Sequence, residues 1–265
     1  MPFVQSAGVR IHYSLHGQGD PLVLVHGYTA HEQTQWQLPG WIDFLAPKHR
    51  LLVVELRGHG RSGKPRGRED YSLALMAGDV LAMMDAAVIE RADIFGYSMG
   101  SMVAMELLLK HGDRFNRAVL GGMGAVFPKD GKENCRDEEK GPIPPLRLSP
   151  LLLARTTFGF LRRYNGRALR AISKSVFEGK QPVDVNRLHE IRHPVLAISG
   201  TRDRFCPGTR LLAERIPNCT RVTLSGRGHV AAVRDPRFKS EVATFLTGTA
   251  VPPPPAPAKA DLVTA

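Results

Sequence analysis

A serine flanked by two glycines, placed directly after a strand-like segment, constrains the fold of this chain more than any other feature. The segment Ala92–Phe95 runs into Gly-Tyr-Ser-Met-Gly at positions 96–100, and the helix-like stretch Met99–His111 follows. This order predicts a sharp strand-to-helix turn that strains the backbone of Ser98 and exposes its hydroxyl. Gly96 and Gly100 are expected there because a side chain at either position would collide within the turn.

Strand-like and helix-like segments alternate along most of the chain. Several strand candidates are uniformly apolar, which is typical of strands buried on both faces of a parallel sheet. The alternation predicts an α/β fold with a doubly wound, mostly parallel sheet. The strand candidates are Val9–Leu15 (assigned to an antiparallel edge hairpin), Leu22–Val25, Leu51–Val54, Ala92–Phe95, Ala118–Leu120, Val195–Ile198 and Arg221–Leu224. The helix candidates are Tyr71–Ala87, Met99–His111, Pro207–Arg215 and Pro236–Leu246, the last with Asp235 as its N-cap.

The alternation stops between about Gly124 and Leu188, where the sequence begins Pro-rich and charged and then becomes helical and basic. We therefore predict a core domain formed by residues 1–123 and 189–247. Residues 124–188 are predicted to be a helical lid inserted after the sixth strand of the main sheet. Residues 248–265, which contain VPPPPAPAKA, are predicted to form a disordered Pro/Ala-rich tail.

The net charge limits the classes of partner. The 265 residues carry a formal net charge of +11, which leaves room for anionic partners. Zinc-finger spacing and RNA-binding aromatic motifs are missing from the sequence, so we expect no nucleic-acid partner. No apolar stretch reaches the roughly 18 residues that a membrane span requires, and the N-terminus does not resemble a secretory signal.

The cysteines bear on the cellular compartment. Cys135, Cys206 and Cys219 are odd in number and not closely spaced, which argues against a disulfide framework. Free thiols are typical of a reducing cytoplasm, so a cytoplasmic location is predicted.

Two further residues complete a candidate catalytic triad with Ser98. Because a serine hydroxyl needs a base at neutral pH, we select His229, which follows the last strand candidate within Gly-Arg-Gly-His. Asp203 lies at the end of the strand candidate Val195–Ile198 and is predicted to orient the imidazole. All three lie at carboxyl ends of strands, where open parallel sheets place their sites, and they follow the order Ser, Asp, His.

The negative charge that develops on the substrate oxygen needs hydrogen-bond donors. One predicted donor is the backbone N–H of Met99, directly after the nucleophile. The other is the backbone N–H of Tyr28, in the His-Gly-Tyr-Thr loop after the strand candidate Leu22–Val25. His26, in the same loop, is interpreted as a brace for the loop and not as the base.

These motifs together resemble the α/β-hydrolase family, in the branch of small bacterial carboxylesterases, C–C bond hydrolases, cofactor-free haloperoxidases and epoxide hydrolases. The similarity covers about residues 8–247, and the matching pieces are His26-Gly27, Arg57–Ser62 (Arg-Gly-His-Gly-Arg-Ser), Gly96–Gly100, Gly200–Asp203 with Pro207, and Gly228-His229 followed by Asp235-Pro236. The resemblance implies that the insertion is a lid and that Arg57–Ser62 is a structural turn.

The chain departs from the family pattern at two positions, and its nucleophile narrows the chemistry. Glu55 stands where the family often has Asp, and Ser101 stands where a further glycine is common, so packing behind the nucleophile is expected to differ. A serine nucleophile argues against dehalogenase and epoxide hydrolase chemistry, which needs a carboxylate.

The predicted lid is basic. Between Lys140 and Glu178 there is no acidic residue, whereas arginines and lysine recur among apolar residues. The favoured interpretation is a solvated lid face, and the alternatives are attraction of an anionic substrate or contact with an anionic membrane surface.

The sequence therefore predicts a serine hydrolase that cleaves small-molecule carboxylic esters through an acyl-enzyme, with no cofactor and no metal. Alternatives with a similar triad are a C–C bond hydrolase and a haloperoxidase or perhydrolase. A ligand receptor on the same fold is the alternative that is not an enzyme.

Overall fold

The computed structural model describes residues 2–122, 135, 165–178 and 183–248. One eight-stranded sheet runs through this part of the chain in the order β1-β2-β4-β3-β5-β6-β7-β8. β1 and β2 form an antiparallel hairpin, β2 is antiparallel to β4, and every other neighbouring pair is parallel. The predicted α/β class with a mostly parallel sheet is confirmed. The strands are β1 Phe3–Ser6, β2 Val9–His16, β3 Asp20–Val25, β4 His49–Glu55, β5 Ala92–Tyr97, β6 Phe115–Gly121, β7 Val195–Gly200 and β8 Cys219–Leu224.

Helices cover both faces of the sheet. The α-helices are α1 Trp41–Leu45, α2 Leu73–Ala86, α3 Met99–Lys110, α4 Gly166–Ile172, α5 Cys206–Arg215, α6 His229–Ala232 and α7 Pro236–Thr247. Single π-helical turns occur at Gln33–Gln37 and Ser173–Phe177, and 3₁₀ turns at Gly112–Arg114 and Val185–Glu190.

The apolar strands divide their side chains between two cores. In β3, Val23 and Val25 pack with α2 and α3, whereas Leu22 and Leu24 pack with α1 and α7 on the opposite face. Successive side chains of a strand point to opposite faces, so a strand covered on both sides must be apolar throughout. The uniformly apolar segments of the sequence therefore predicted the central strands correctly.

Sequence reasoning missed three short elements, namely β1, α1 and the four-residue α6. β1 has only four residues and none of them is buried, so it carries no burial pattern, although an edge hairpin was expected for its partner β2. α1 has only five residues, of which Trp41, Ile42 and Leu45 are buried, and a helix so short shows little periodicity. The N-cap at Asp235 is confirmed because its carboxylate accepts a hydrogen bond from the backbone N–H of Arg237.

Part of the predicted lid is described. Residues 165–178 and 183–188 contain α4, the π-helical turn Ser173–Phe177 and the start of a 3₁₀ turn. Leu169 and Ile172 of α4 are buried in the core cluster on the α2 and α3 side of the sheet. Residues 124–134, 136–164 and 179–182 of the predicted lid lie outside the described residues, as does the predicted tail after Gly248. Among the helices described, none is long and apolar enough to cross a membrane.

The expectation of three free cysteines is wrong. Cys135 and Cys206 form a disulfide across a separation of 71 residues with their Cα atoms 6.0 Å apart, and Cys219 is the free cysteine. The backbone N–H of Cys135 donates to the Thr201 carbonyl at 2.9 Å, which brings the distant cysteine to the end of β7. Spacing in the sequence gave no sign of this pairing, and cysteine usage no longer favours a reducing compartment, so the cytoplasmic location stays a prediction.

We expect the pairing to be visible in a thiol count. Protein unfolded without reductant should expose one thiol per chain, from Cys219, and three after reduction. Reduction should also lower the free energy of unfolding by about 2–4 kcal/mol, since a crosslink restricts the unfolded chain. Cys219→Ser is the control, with no thiol before reduction and two after it. Three thiols in the unreduced wild-type protein would contradict the pairing.

Candidate functional site

Ser98 occupies a strained turn between β5 and α3. Its φ of 55° and ψ of −118° lie in a region that residues with a side chain rarely adopt. Its backbone N–H donates to the Gly121 carbonyl at 2.7 Å, which ties the turn to the end of β6. This hydrogen bond helps to hold Ser98 in its strained backbone conformation. Backbone strain of this kind is typical of functional positions.

The glycines of the turn are required by close backbone contacts. A Cβ at Gly96 would collide with the Gly100 carbonyl, and a Cβ at Gly100 would collide with the Val25 carbonyl. Ser101, noted above as a departure, is fully buried, and its hydroxyl lies 2.8 Å from the Gly96 carbonyl and 3.0 Å from the Gly121 carbonyl. The extra hydroxyl therefore braces the turn from behind.

The structure brings His229 and Asp203 together with Ser98. His229 Nε2 lies 3.0 Å from Ser98 Oγ, and His229 Nδ1 lies 2.8 Å from Asp203 Oδ2. Asp203 is fully buried, whereas 31% of the His229 side chain is exposed. A carboxylate at Nδ1 favours the tautomer that carries its proton on Nδ1 and leaves Nε2 free to accept a proton from the serine.

The carboxylate of Asp203 is held on its other side as well. Oδ1 accepts a hydrogen bond of 2.9 Å from the backbone N–H of Phe205. The backbone N–H of Asp203 donates to the Gly200 carbonyl, and that of Cys206 donates to the Asp203 carbonyl. Both carboxylate oxygens are therefore engaged, which fixes the orientation of the side chain toward His229.

Three supports for His229 were not found from the sequence. The Tyr97 hydroxyl donates to the His229 carbonyl, and the Phe205 ring lies edge-on to the imidazole with centroids 5.2 Å apart. The loop that carries His229 is anchored by a buried ion pair between Arg227 and Asp235. Tyr97 lies inside the serine motif, and Phe205 follows Asp203 by two residues. Their closeness to the motifs was the one feature of the sequence that pointed to them.

The loop after β3 lies against the nucleophile. A Cβ placed on Gly27 would be 3.1 Å from Ser98 Cβ, so Tyr28 directly follows a residue in contact with the serine. Met99 is the first residue of α3, and the first N–H groups of a helix have no partner within the helix. Tyr28 and Met99 thus come from different elements near Ser98, and their role as oxyanion donors stays a prediction.

The side chain of Tyr28 connects this loop to the predicted lid. Its hydroxyl donates to the Leu169 carbonyl of α4 at 2.9 Å, and its ring meets that of Phe177 with centroids 5.2 Å apart. The rings of Tyr28 and Phe177 therefore form an apolar surface next to the candidate oxyanion site.

Comparisons with known proteins bear on the fold and the family of this chain. The family model described as "alpha/beta hydrolase fold" matches residues 20–130. A Caulobacter sp. (strain K31) protein designated "putative carbamate hydrolase RutD" is 28% identical and covers 78% of this chain and 84% of its own length. The 2-hydroxymuconate semialdehyde hydrolase of Pseudomonas sp. (strain CF600) is 32% identical over 46% of this chain and 44% of its own length. The structure of Est816, described as an N-acyl homoserine lactone degrading enzyme, has a TM-score of 0.73 and 25% identity, and covers 92% of this chain and 100% of its own.

The chain has the α/β-hydrolase fold. Its resemblance to small bacterial α/β-hydrolases, predicted from the motifs, is confirmed.

The structure confirms the interpretation of His26 as a brace for its loop. Nδ1 lies 2.8 Å from the Gly27 carbonyl, and Nε2 accepts a hydrogen bond of 3.1 Å from the backbone N–H of Leu56. Burial lowers the pKa of His26 to about 4 and that of the adjacent His59 to about 3, against an ordinary value of 6.5. Both imidazoles are therefore neutral at pH 7 and serve as hydrogen-bonding supports.

The turn Arg57–Ser62 is built from buried charges. Arg57 makes two hydrogen bonds of 2.7 Å to the carboxylate of Asp79, which explains the acid inside α2. Glu55 accepts from the backbone N–H of Arg61 at 2.7 Å and lies 3.1 Å from His12 Nδ1. Burial raises the pKa of Glu55, but these donors outweigh it and lower the pKa to about 2. The longer acid is thus accommodated by a partner, His12, on the neighbouring strand.

The side chains around Glu55 include three of the types that bind metal ions. Ligand atoms of His12, Glu32 and Glu55 lie within 4.8 Å of one another. Arg61 Nη1, however, lies 3.0 Å from His12 Nε2 and 3.9 Å from Glu32 Oε2. Because a guanidinium already supplies positive charge there, the donor set does not fit a cation, and the absence of metal and cofactor stays a prediction.

The neutral histidines should make stability depend on pH. A base whose pKa is lowered on folding contributes stability that is complete above its unfolded pKa and is lost as the pH falls toward the folded value. The free energy of unfolding should therefore drop from pH 6.5 toward pH 4, and denaturant titrations at several pH values will measure the slope. His59→Gln should flatten it by up to about 1.4 kcal/mol per pH unit. His189→Gln, at an exposed histidine, is the control. An equal slope in His59→Gln and wild type would contradict the buried neutral state.

Proposed function

We propose that this α/β-hydrolase cleaves carboxylic esters through an acyl-enzyme formed on Ser98. The observation that carries the proposal is the chain of contacts from Ser98 Oγ to His229 Nε2 at 3.0 Å and from His229 Nδ1 to Asp203 Oδ2 at 2.8 Å. Serine is a weak nucleophile until an adjacent base removes its proton, and this geometry is suited to that transfer.

In the first half of the reaction, Ser98 Oγ attacks the acyl carbon while its proton moves to His229 Nε2. The resulting oxyanion would accept hydrogen bonds from the backbone N–H groups of Met99 and Tyr28, and a single such donor is typically worth about 3–4 kcal/mol of barrier. His229 then gives its proton to the leaving alcohol, and the acyl group stays on Ser98.

In the second half, His229 removes a proton from water, which attacks the acyl-enzyme and frees Ser98. The buried carboxylate of Asp203 stabilises the imidazolium in both halves. Phe205, packed edge-on against the ring, limits the orientations of the imidazole. The Tyr28 and Phe177 rings offer an apolar wall for the acyl group.

The first test is removal of the nucleophile. Ser98→Ala should abolish turnover of short p-nitrophenyl esters and labelling by a fluorophosphonate probe, since no hydroxyl remains to be acylated. Circular dichroism should show an intact fold. Ser240→Ala, which removes an exposed hydroxyl on α7, is the matched control and should keep full activity. Retained hydrolysis by Ser98→Ala would refute the assignment, and labelling of the wild type without turnover would favour a receptor.

The second test concerns the acid. Asp203→Asn keeps the shape of the side chain but offers an amide to His229, so we expect kcat to fall about 1000- to 10,000-fold. Asp113→Asn, at an exposed acid, controls for the change of charge. Steady-state kinetics with p-nitrophenyl acetate will measure both variants. A fall of less than tenfold would show that another group orients the imidazole.

The relative named 2-hydroxymuconate semialdehyde hydrolase favours one second candidate, cleavage of a C–C bond by the same three residues. A panel that contains esters, thioesters and vinylogous diketones would separate the two activities, because only the scissile bond differs.

A further inference from the structure

A wide, polar cavity opens beside the candidate site. It has a volume of about 1170 Å³, and its lining includes Tyr28, Asn165 and Leu169. Pockets for small ligands commonly measure roughly 300–1000 Å³ and are mostly apolar. A short neutral ester would leave much of this space empty, so the cavity suits a larger and more polar group.

Among the described residues that line this cavity, five are cationic and none is acidic. They are Arg66, Arg68, Arg167, Arg170 and Lys174. The last three recur at spacings of three and four residues along α4 and the following turn, which places them on one face. Arg66 and Arg68 come from the loop before α2. Charge therefore converges on the cavity from two separate segments of the chain.

Within the described residues, seven other arginines have carboxylate partners, whereas these five cations do not. Within the described parts of the chain, none of the five side chains forms an ion pair. Of the two acids that follow Arg68 in the sequence, Asp70 uses its carboxylate to accept a hydrogen bond of 3.0 Å from the backbone N–H of Gly67. Elsewhere in the fold, arginines pair with carboxylates, namely Arg57, Arg61, Arg114, Arg117, Arg187, Arg227 and Arg237. Five like charges in one cavity repel one another and concentrate anions there.

Tyr28 lies between the cavity and the candidate oxyanion site. Tyr28 lines the cavity, and the preceding Gly27 lies against Ser98. The Tyr28 hydroxyl is bonded to Leu169 of α4, the helix that carries Arg167 and Arg170. A substrate with its carbonyl at Ser98 could thus extend past Tyr28 to the cations.

We propose that this cavity binds the phosphorylated leaving group of an ester or thioester substrate. A single carboxylate would form two hydrogen bonds with one guanidinium and leave the other cations unpaired. A group with several phosphate oxygens would bind to several of the five cations at once. The inference rests on the proposed function and names the substrate class of the same site.

Binding can be tested without turnover. Coenzyme A serves as the phosphorylated probe and pantetheine as its unphosphorylated counterpart, and calorimetry on the full chain measures both at low salt. We expect coenzyme A to bind at least about tenfold more tightly, and its affinity to fall as salt screens the charges. Arg167→Gln/Arg170→Gln should remove most of this preference. Lys110→Gln/Arg237→Gln makes the same change of charge at exposed ion pairs and should keep it.

Hydrolysis gives a second measurement. The ratio of kcat/KM for acetyl-coenzyme A to that for acetyl-pantetheine should exceed ten in the wild type and fall about tenfold in Arg167→Gln/Arg170→Gln. Equal affinities and equal kcat/KM values for the two probes in the wild type would overturn the proposal. So would binding of anionic phosphatidylglycerol vesicles through Arg167 and Arg170 with no affinity for coenzyme A, since the cations would then meet a membrane surface.

The two proposals fail differently. Tight binding of coenzyme A with no hydrolysis of either thioester or of p-nitrophenyl acetate would support the anion cavity and refute the esterase assignment. Hydrolysis of p-nitrophenyl acetate that depends on Ser98, without any preference for phosphate, would refute the cavity alone.

Discussion

The close approach of α3 to the end of β3 is the constraint on which the rest of the site depends. Gly100 lies against the Val25 carbonyl, and Gly96 lies against the Gly100 carbonyl, so no side chain fits at either glycine. The contact starts the helix at the sheet itself and forces Ser98 to a positive φ. It also sets the loop after β3 against the serine, with Gly27 in contact with Ser98. This packing of α3 on β3 thereby positions both Ser98 and the loop that carries one predicted oxyanion donor.

The central sheet was predictable because burial on two faces demands apolar residues at every position of a strand. β3 and β7 illustrate this signal, since both end in fully buried residues. The edge of the sheet was harder to predict, because β1 has no buried residue and its sequence therefore shows no alternation of buried and exposed positions. α1 was missed because its five residues make little more than one turn, and its position depends on the tertiary contact between the Trp41 indole N–H and the Val233 carbonyl.

The candidate site was predictable where chemistry and backbone geometry limit the choice of residue. Ser98, Asp203 and His229 each follow a strand, and parallel strands bring their ends together. The pairing of Cys135 with Cys206 was not predictable, because the contact is made by distant segments that share no motif. The supports from Tyr97 and Phe205 were missed for a related reason. An aromatic residue beside a motif is compatible with many roles until its neighbours in space are known.

In the proposed function, the reaction and the choice of substrate depend on different parts of the fold. The contacts among Ser98, His229 and Asp203 suit acyl transfer in general and do not distinguish one leaving group from another. Discrimination must therefore come from the walls around them, since only differences in binding free energy between substrates give specificity. Tyr28 belongs to both parts: its backbone follows Gly27 at the serine, and its hydroxyl is bonded to α4. A ligand that draws α4 toward its charges would thus act on the loop that carries a predicted oxyanion donor.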